Sequence, residues 1–201
     1  MTARKIADAM LVGDKSIFAI ESGITRAYEG AGFHALGFIV IYVGGCRYGI
    51  HSPDAAMLAG PLGAVKERIA RRGSHIVPFA TEPDAGKIAD AVSDAIYAPN
   101  QENIQFFNVP QPVFYKLIHS SHISWAGELD EAFDDLSYLL QFDVKDRVRL
   151  IAFKSRDDGY HHDPITLNDV WLEADKFYGI LAEWTDAFEA EWMRLPKLPQ
   201  I

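Results

Sequence analysis

Residues 17–28 mix β-branched and aromatic side chains, and the apolar run Ala35–Val43 is followed by Gly44-Gly45 and a further strand-like stretch over 46–50. A Gly-Gly pair between two such runs supplies the positive φ angles of a two-residue hairpin turn, so the first three strands are predicted to form a meander. Pro61 then stands at a first helical position, Leu58, Leu62, Val65 and Ile69 recur at helical spacing, and Gly73 takes the place of a C-terminal cap. The pattern predicts a helix over about 61–72. Thr81, three residues before Asp84, reads as a capping start for a second helix. That helix puts Ile88, Ala91, Val92, Ala95 and Ile96 on one face and runs to about Tyr97.

Residues 99–112 carry three prolines and three asparagines with little periodicity, which marks a long surface connection, with short helical turns expected near 114–119. Residues 138–144 and 147–154 flank Lys145-Asp146, and Val148, Leu150 and Ala152 alternate with Arg147 and Arg149, a hairpin pattern. From Thr166 onward Val170, Trp171, Ala174, Phe177, Tyr178, Leu181, Trp184, Phe188 and Trp192 recur every three or four residues until Pro196. Read as one amphipathic helix, this run would be about 40 Å long, with its aromatic stripe closing a core.

Hairpins joined by helices without strand–helix–strand alternation predict an α+β fold: a mainly antiparallel sheet, helices packed on one face, and a long amphipathic C-terminal helix. The 201 residues are read as a single domain, 1–201, long enough to bury about 70% of its unfolded surface. The lone Cys46 forms no internal disulfide, which suits a reducing compartment. Residues 6–12 are interrupted by Asp8 and are too short for a signal core, and the longest apolar run is under half of a membrane crossing. A cytoplasmic protein that contacts no membrane is expected.

Charge sharpens the choice of partner. The net charge is -9; residues 1–119 hold 11 acids and 11 bases, whereas 120–201 hold 17 acids and 8 bases, so the excess lies in the last two-fifths. Such a surface opposes nucleic-acid binding and suits a basic protein partner.

Motifs for small-molecule chemistry are mostly missing. Gly30-Ala31-Gly32 lacks the third glycine of a dinucleotide fingerprint, and there is no phosphate loop, no H-E-x-x-H and no paired cysteines. No cofactor is expected. His119 and His122, with His161, His162 and Asp163, are the best metal candidates and would suit a metal-dependent hydrolase, although neither stretch has a required spacing. Lys66, Arg68, Arg71 and Arg72 make the 61–72 helix basic, a pattern usually solvated. Glu128, Asp130, Glu131, Asp134 and Asp135 put five carboxylates into eight positions around Phe133, just after Trp125. This segment reads as an acidic recognition loop with Trp125 and Phe133 as anchors, charge steering association and aromatics supplying binding energy.

The strand Phe18-Ala19-Ile20-Glu21, the run Ala35-Leu36-Gly37-Phe38 leading to Tyr48-Gly49, the hairpin from Gln141-Phe142-Asp143 to Arg147-Val148-Arg149-Leu150-Ile151-Ala152-Phe153, and the late Asp169-Val170-Trp171-Leu172 resemble the immunity protein 42 family. These proteins are encoded beside the toxins of bacterial polymorphic toxin systems, and the resemblance spans about residues 10–192. It implies a non-enzymatic inhibitor that binds one cognate toxin effector protein, such as a nuclease or another enzyme with a basic cleft. It carries no binding residues across, and the oligomeric state is left open between monomer and homodimer. A general secretion-system adaptor is the other binding-protein alternative.

Overall fold

A computed structural model describes residues 9–30, 32–97, 104–125, 129–156 and 161–199. The larger sheet has β1 (Met10–Asp14), β2 (Phe18–Tyr28), β3 (Ala35–Val43) and β4 (Cys46–Tyr48) in sequence order and antiparallel. Its edges are extended by β5 (Ala56–Met57) on β3 and by β11 (Lys197–Leu198), which runs parallel to β2. The expected meander is present, and Gly44 and Gly45 adopt φ of 60° and 87°, as its turn requires. β1 was not anticipated; its hairpin closes where Asp14 Oδ1 accepts both the N–H and the O–H of Ser16.

A second sheet has the order β10-β9-β8, from β8 (Ser137–Val144), β9 (Arg147–Lys154) and β10 (Asn168–Glu173), all antiparallel. The β8–β9 hairpin lies where the alternation placed it. β10 replaces the predicted first turns of the last helix. Val170 and Trp171 fit a helical period, but Asn168–Glu173 pairs with the open edge of β9, which satisfies backbone groups that would otherwise be left at that edge. The last helix, α4 (Ala174–Arg194), therefore has 21 residues and is about 31 Å long.

The remaining helices are α1 (Ala59–Ala70), α2 (Ala85–Tyr97) and α3 (Gln111–Ser120). α2 starts later than predicted, because Asp84 Oδ1, and not Thr81, accepts the first-turn N–H of Lys87 at 3.0 Å. Inside the stretch read as a plain connection, β6 (Gln105–Phe106) and β7 (Val109–Pro110) form a small hairpin turned by Phe107 and Asn108, both left-handed.

The fold is α+β with antiparallel sheets and a long C-terminal helix. Two cores share the smaller sheet. Leu139, Val148, Leu150, Ala152 and Leu172 face a core built with the larger sheet and with Leu62, Val65, Phe177, Leu181, Trp184 and Phe188 of α1 and α4. Leu140, Phe142, Ile151 and Phe153 face a second core with Phe79, Ile88, Val92, Phe114 and Ile118, contributed largely by α2 and α3. The helices thus divide between the two faces of this sheet, and its central residues alternate between two apolar environments.

Candidate functional site

Glu131, Phe133, Asp134 and Asp135 lie on a 3-10 turn (Asp130–Phe133) and the bend after it, directly before β8. Glu128 lies outside the described residues, as does the side chain of Asp130. Trp125 is 0% exposed and Phe133 7%, both inside the first core. The Trp125 indole N–H donates to Gln141 Oε1 at 3.2 Å, and the Arg68 guanidinium lies over its ring at 4.5 Å. Both aromatics serve the core, which corrects their reading as surface anchors; large apolar area drives a ring inward wherever a core is within reach. Asp135 is half-buried, holding Lys154 Nζ at 2.6 Å and accepting the N–H of Ser137. Glu131 and Asp134 are the exposed carboxylates of the segment.

The basic helix is satisfied from within the chain. Lys66 pairs with Glu189, Arg71 with Glu67 at 2.8 Å, and Arg72 with Asp175. Arg68 departs from the solvated pattern altogether: it is 1% exposed and donates to the carbonyls of His122 and Ser124 and to Gln141 Oε1. From there a buried network continues. Gln141 Nε2 donates to Tyr178 Oη at 2.9 Å, and Tyr178 donates to Asp143, whose Oδ2 accepts the N–H groups of Gly73 and His75. The sequence carried a signal for this network, since Leu139, Gln141 and Asp143 occupy one inward face of β8 and two of the three are polar. Burial first, and the Arg68 charge second, hold the His75 imidazole below its ordinary pKa, against the opposing effect of the Ser121 carbonyl.

The candidate metal ligands do not form a recognisable set. His119 stacks on Tyr115, His122 sits in a left-handed turn, and His162 Nδ1 meets Asp90 Oδ1 at 2.7 Å. Among the described residues no three His, Cys, Asp or Glu side chains converge as ligands.

The position of His162 defines a groove that the sequence reading missed. A cavity of about 490 Å³ opens between α2 and the β6–β7 hairpin, lined by Asp84, Lys87, Asp90, Asp94, Phe106, Phe107 and His162 among others. Asp90 and Asp94 are one helical turn apart and so share a face of α2. The imidazole lies against the helix backbone at Gly86, where a Cβ would stand 2.8 Å from His162 Cε1. Asp90 Oδ1 accepts from the backbone N–H of His162 and meets its ring Nδ1, so that Nδ1 is the nitrogen that carries a proton toward the carboxylate. Lys87 Nζ lies 5.4 Å from the centre of the Phe107 ring. Burial pushes the Asp94 carboxyl above its ordinary pKa; His161 opposes this, and the Asp90 charge adds to it. The available signal was Asp84, Asp90 and Asp94 on a single predicted helix, but nothing in their spacing placed residues 105–107 or 162 opposite them.

Residues 10–187 match the family described as Immunity protein 42. The chain belongs to the immunity protein 42 family. CdiI from Burkholderia dolosa AUO158, known from a crystal structure, is similar in fold: TM-score 0.58, 13% identity, covering 89% of this chain and 99% of that one. Among curated proteins none matches. For this member of the immunity protein 42 family, no described helix is long and apolar enough to cross a membrane. Two carboxylates on one face of α2 and an oriented imidazole present mostly hydrogen-bond acceptors, beside an aromatic wall suited to a cation.

Proposed function

We propose that this chain neutralises a cognate toxin effector by direct stoichiometric binding, protecting the cell that produces both, and that it acts in the cytoplasm without turning over a substrate. The observation that carries the reading is the match to the Immunity protein 42 family across residues 10–187. The acidic excess of residues 120–201 supports a partner with a basic cleft, a nuclease being one such enzyme. Of the carboxylate loop, Glu131 and Asp134 stand exposed and are the residues assigned to steering the encounter.

The test is growth of a heterologous host expressing the adjacent toxin-like open reading frame, with and without this chain, followed by co-purification. Rescue together with a one-to-one complex is the expected result; a toxic neighbour that is neither bound nor blocked overturns the assignment for that pair. Within a working pair, Glu131→Lys combined with Asp134→Lys should slow association about ten-fold at low salt and flatten its salt dependence, with little change in dissociation. Association rates that stay at the wild-type value remove this loop from the contact surface and leave the inhibitor reading intact.

A further inference from the structure

The groove between α2 and the β6–β7 hairpin combines three properties. It is concave, at about 490 Å³; its floor carries three carboxylates against the single ammonium of Lys87; and one wall is aromatic. The carboxylates are not equivalent. Asp84 caps α2 and Asp90 holds His162, whereas Asp94 is partly desolvated, with the His161 imidazole as the charge that opposes this. Desolvation of a carboxylate that outweighs the charge set against it is a cost that the free protein carries, and a partner that supplies a further cation lowers it. The opposite wall already accommodates an ammonium, since Lys87 lies over Phe107.

We infer that this groove is a docking point for the toxin and receives a lysine or arginine side chain of that partner, its charged end at Asp94 and its stem along Phe106 and Phe107. The inference rests on the immunity reading above and adds a place and a chemistry to it. Charge complementarity selects this occupant: an anionic ligand would meet three carboxylates, and a bare metal ion would find no three converging ligands. His162 is a positioning residue. Held by Asp90 and seated on Gly86, it lines the groove and keeps Asp90 oriented.

The test uses the full chain and the toxin domain encoded beside it, carrying an inactivating substitution, in surface-binding kinetics. Asp94→Asn should weaken the complex about ten-fold and Asp94→Arg about a hundred-fold, both mainly through faster dissociation, while the melting temperature of the free variant stays level or rises. Asp186→Asn, an exposed carboxylate on α4 with the same change in charge, should stay within about two-fold. Equal dissociation for wild type and Asp94→Arg overturns the groove and leaves the immunity reading standing. An equal effect from Asp186→Asn and Asp94→Asn also overturns it, because the response would then follow net charge and not the groove. Failure of the wild-type chain to bind overturns both readings.

Discussion

Helices α1 and α2 are both strongly charged, and they treat their charge in opposite ways. On α1 and in the two residues after it, Lys66, Arg68, Arg71 and Arg72 each meet a partner inside the chain, and Arg68 is sunk to 1% exposure with three acceptors around it. At the start of α2 and along it, Asp84 and Asp90 are used locally, whereas Asp94 stands in an open groove, where burial outweighs the His161 charge and raises its pKa. Charge completed internally holds a fold together; charge left partly desolvated and incomplete is a surface prepared for something else. A charge run in a sequence does not separate the two cases, because most of the partners lie on other elements.

The largest break in this contrast should come from Arg68→Met. It leaves the carbonyls of His122 and Ser124 and the Gln141 amide oxygen short of a donor, and should cost about 3–5 kcal/mol in urea unfolding. A loss below about 1 kcal/mol would show that the network around Arg68 contributes little. Next, Gly86→Ala drives a methyl group into the His162 ring and should cost about 1–2 kcal/mol despite alanine's higher helix propensity, with the His162 ring signals shifting in NMR spectra. An unperturbed His162 would mean that the ring is not seated on α2 as described.

A smaller effect is expected from pH. His75 is buried and its pKa is lowered from 6.5, so below pH 6.5 the unfolded chain takes up a proton that the folded chain resists. Stability should therefore fall as pH drops below 6.5, and that part of the slope should vanish in His75→Asn, compared by urea midpoints. The smallest effect belongs to Asp94, with the opposite sign. Its raised pKa means that the charged form costs the fold stability at neutral pH, a cost relieved as pH falls through the raised value toward 3.8. Asp94→Asn should thus melt at or slightly above the wild-type temperature at pH 7, and the difference should close below pH 3.8. A lower melting temperature at pH 7 would place Asp94 among the internally satisfied charges and dissolve the contrast with α1.

Much of the fold was legible because its signals are local. The Gly44-Gly45 turn, the β8–β9 hairpin and the apolar face of α2 each follow from residues within one element. Where prediction failed, two local patterns competed. Residues 168–173 fit a helical stripe and a strand equally well, and the free edge of β9 decided. Trp125 and Phe133 suited an interface or a core, and the first core took both, Trp125 beside Arg68 and Gln141. The acidic loop was legible as composition, yet only Glu131 and Asp134 of its described side chains are exposed.

The sequence by itself determined the β2–β3–β4 meander, the β8–β9 hairpin, the four described helices apart from their ends, the α+β class, the acidic balance and the family resemblance, since each depends on residue order over a short span or on totals. Tertiary structure alone decided which charges are completed and which are not. Asp90 and His162 lie 72 positions apart and Arg68 and Gln141 73. Whether a carboxylate or a guanidinium is buried, paired or left facing a groove depends on desolvation by chain that is remote in sequence, and no local pattern records that environment.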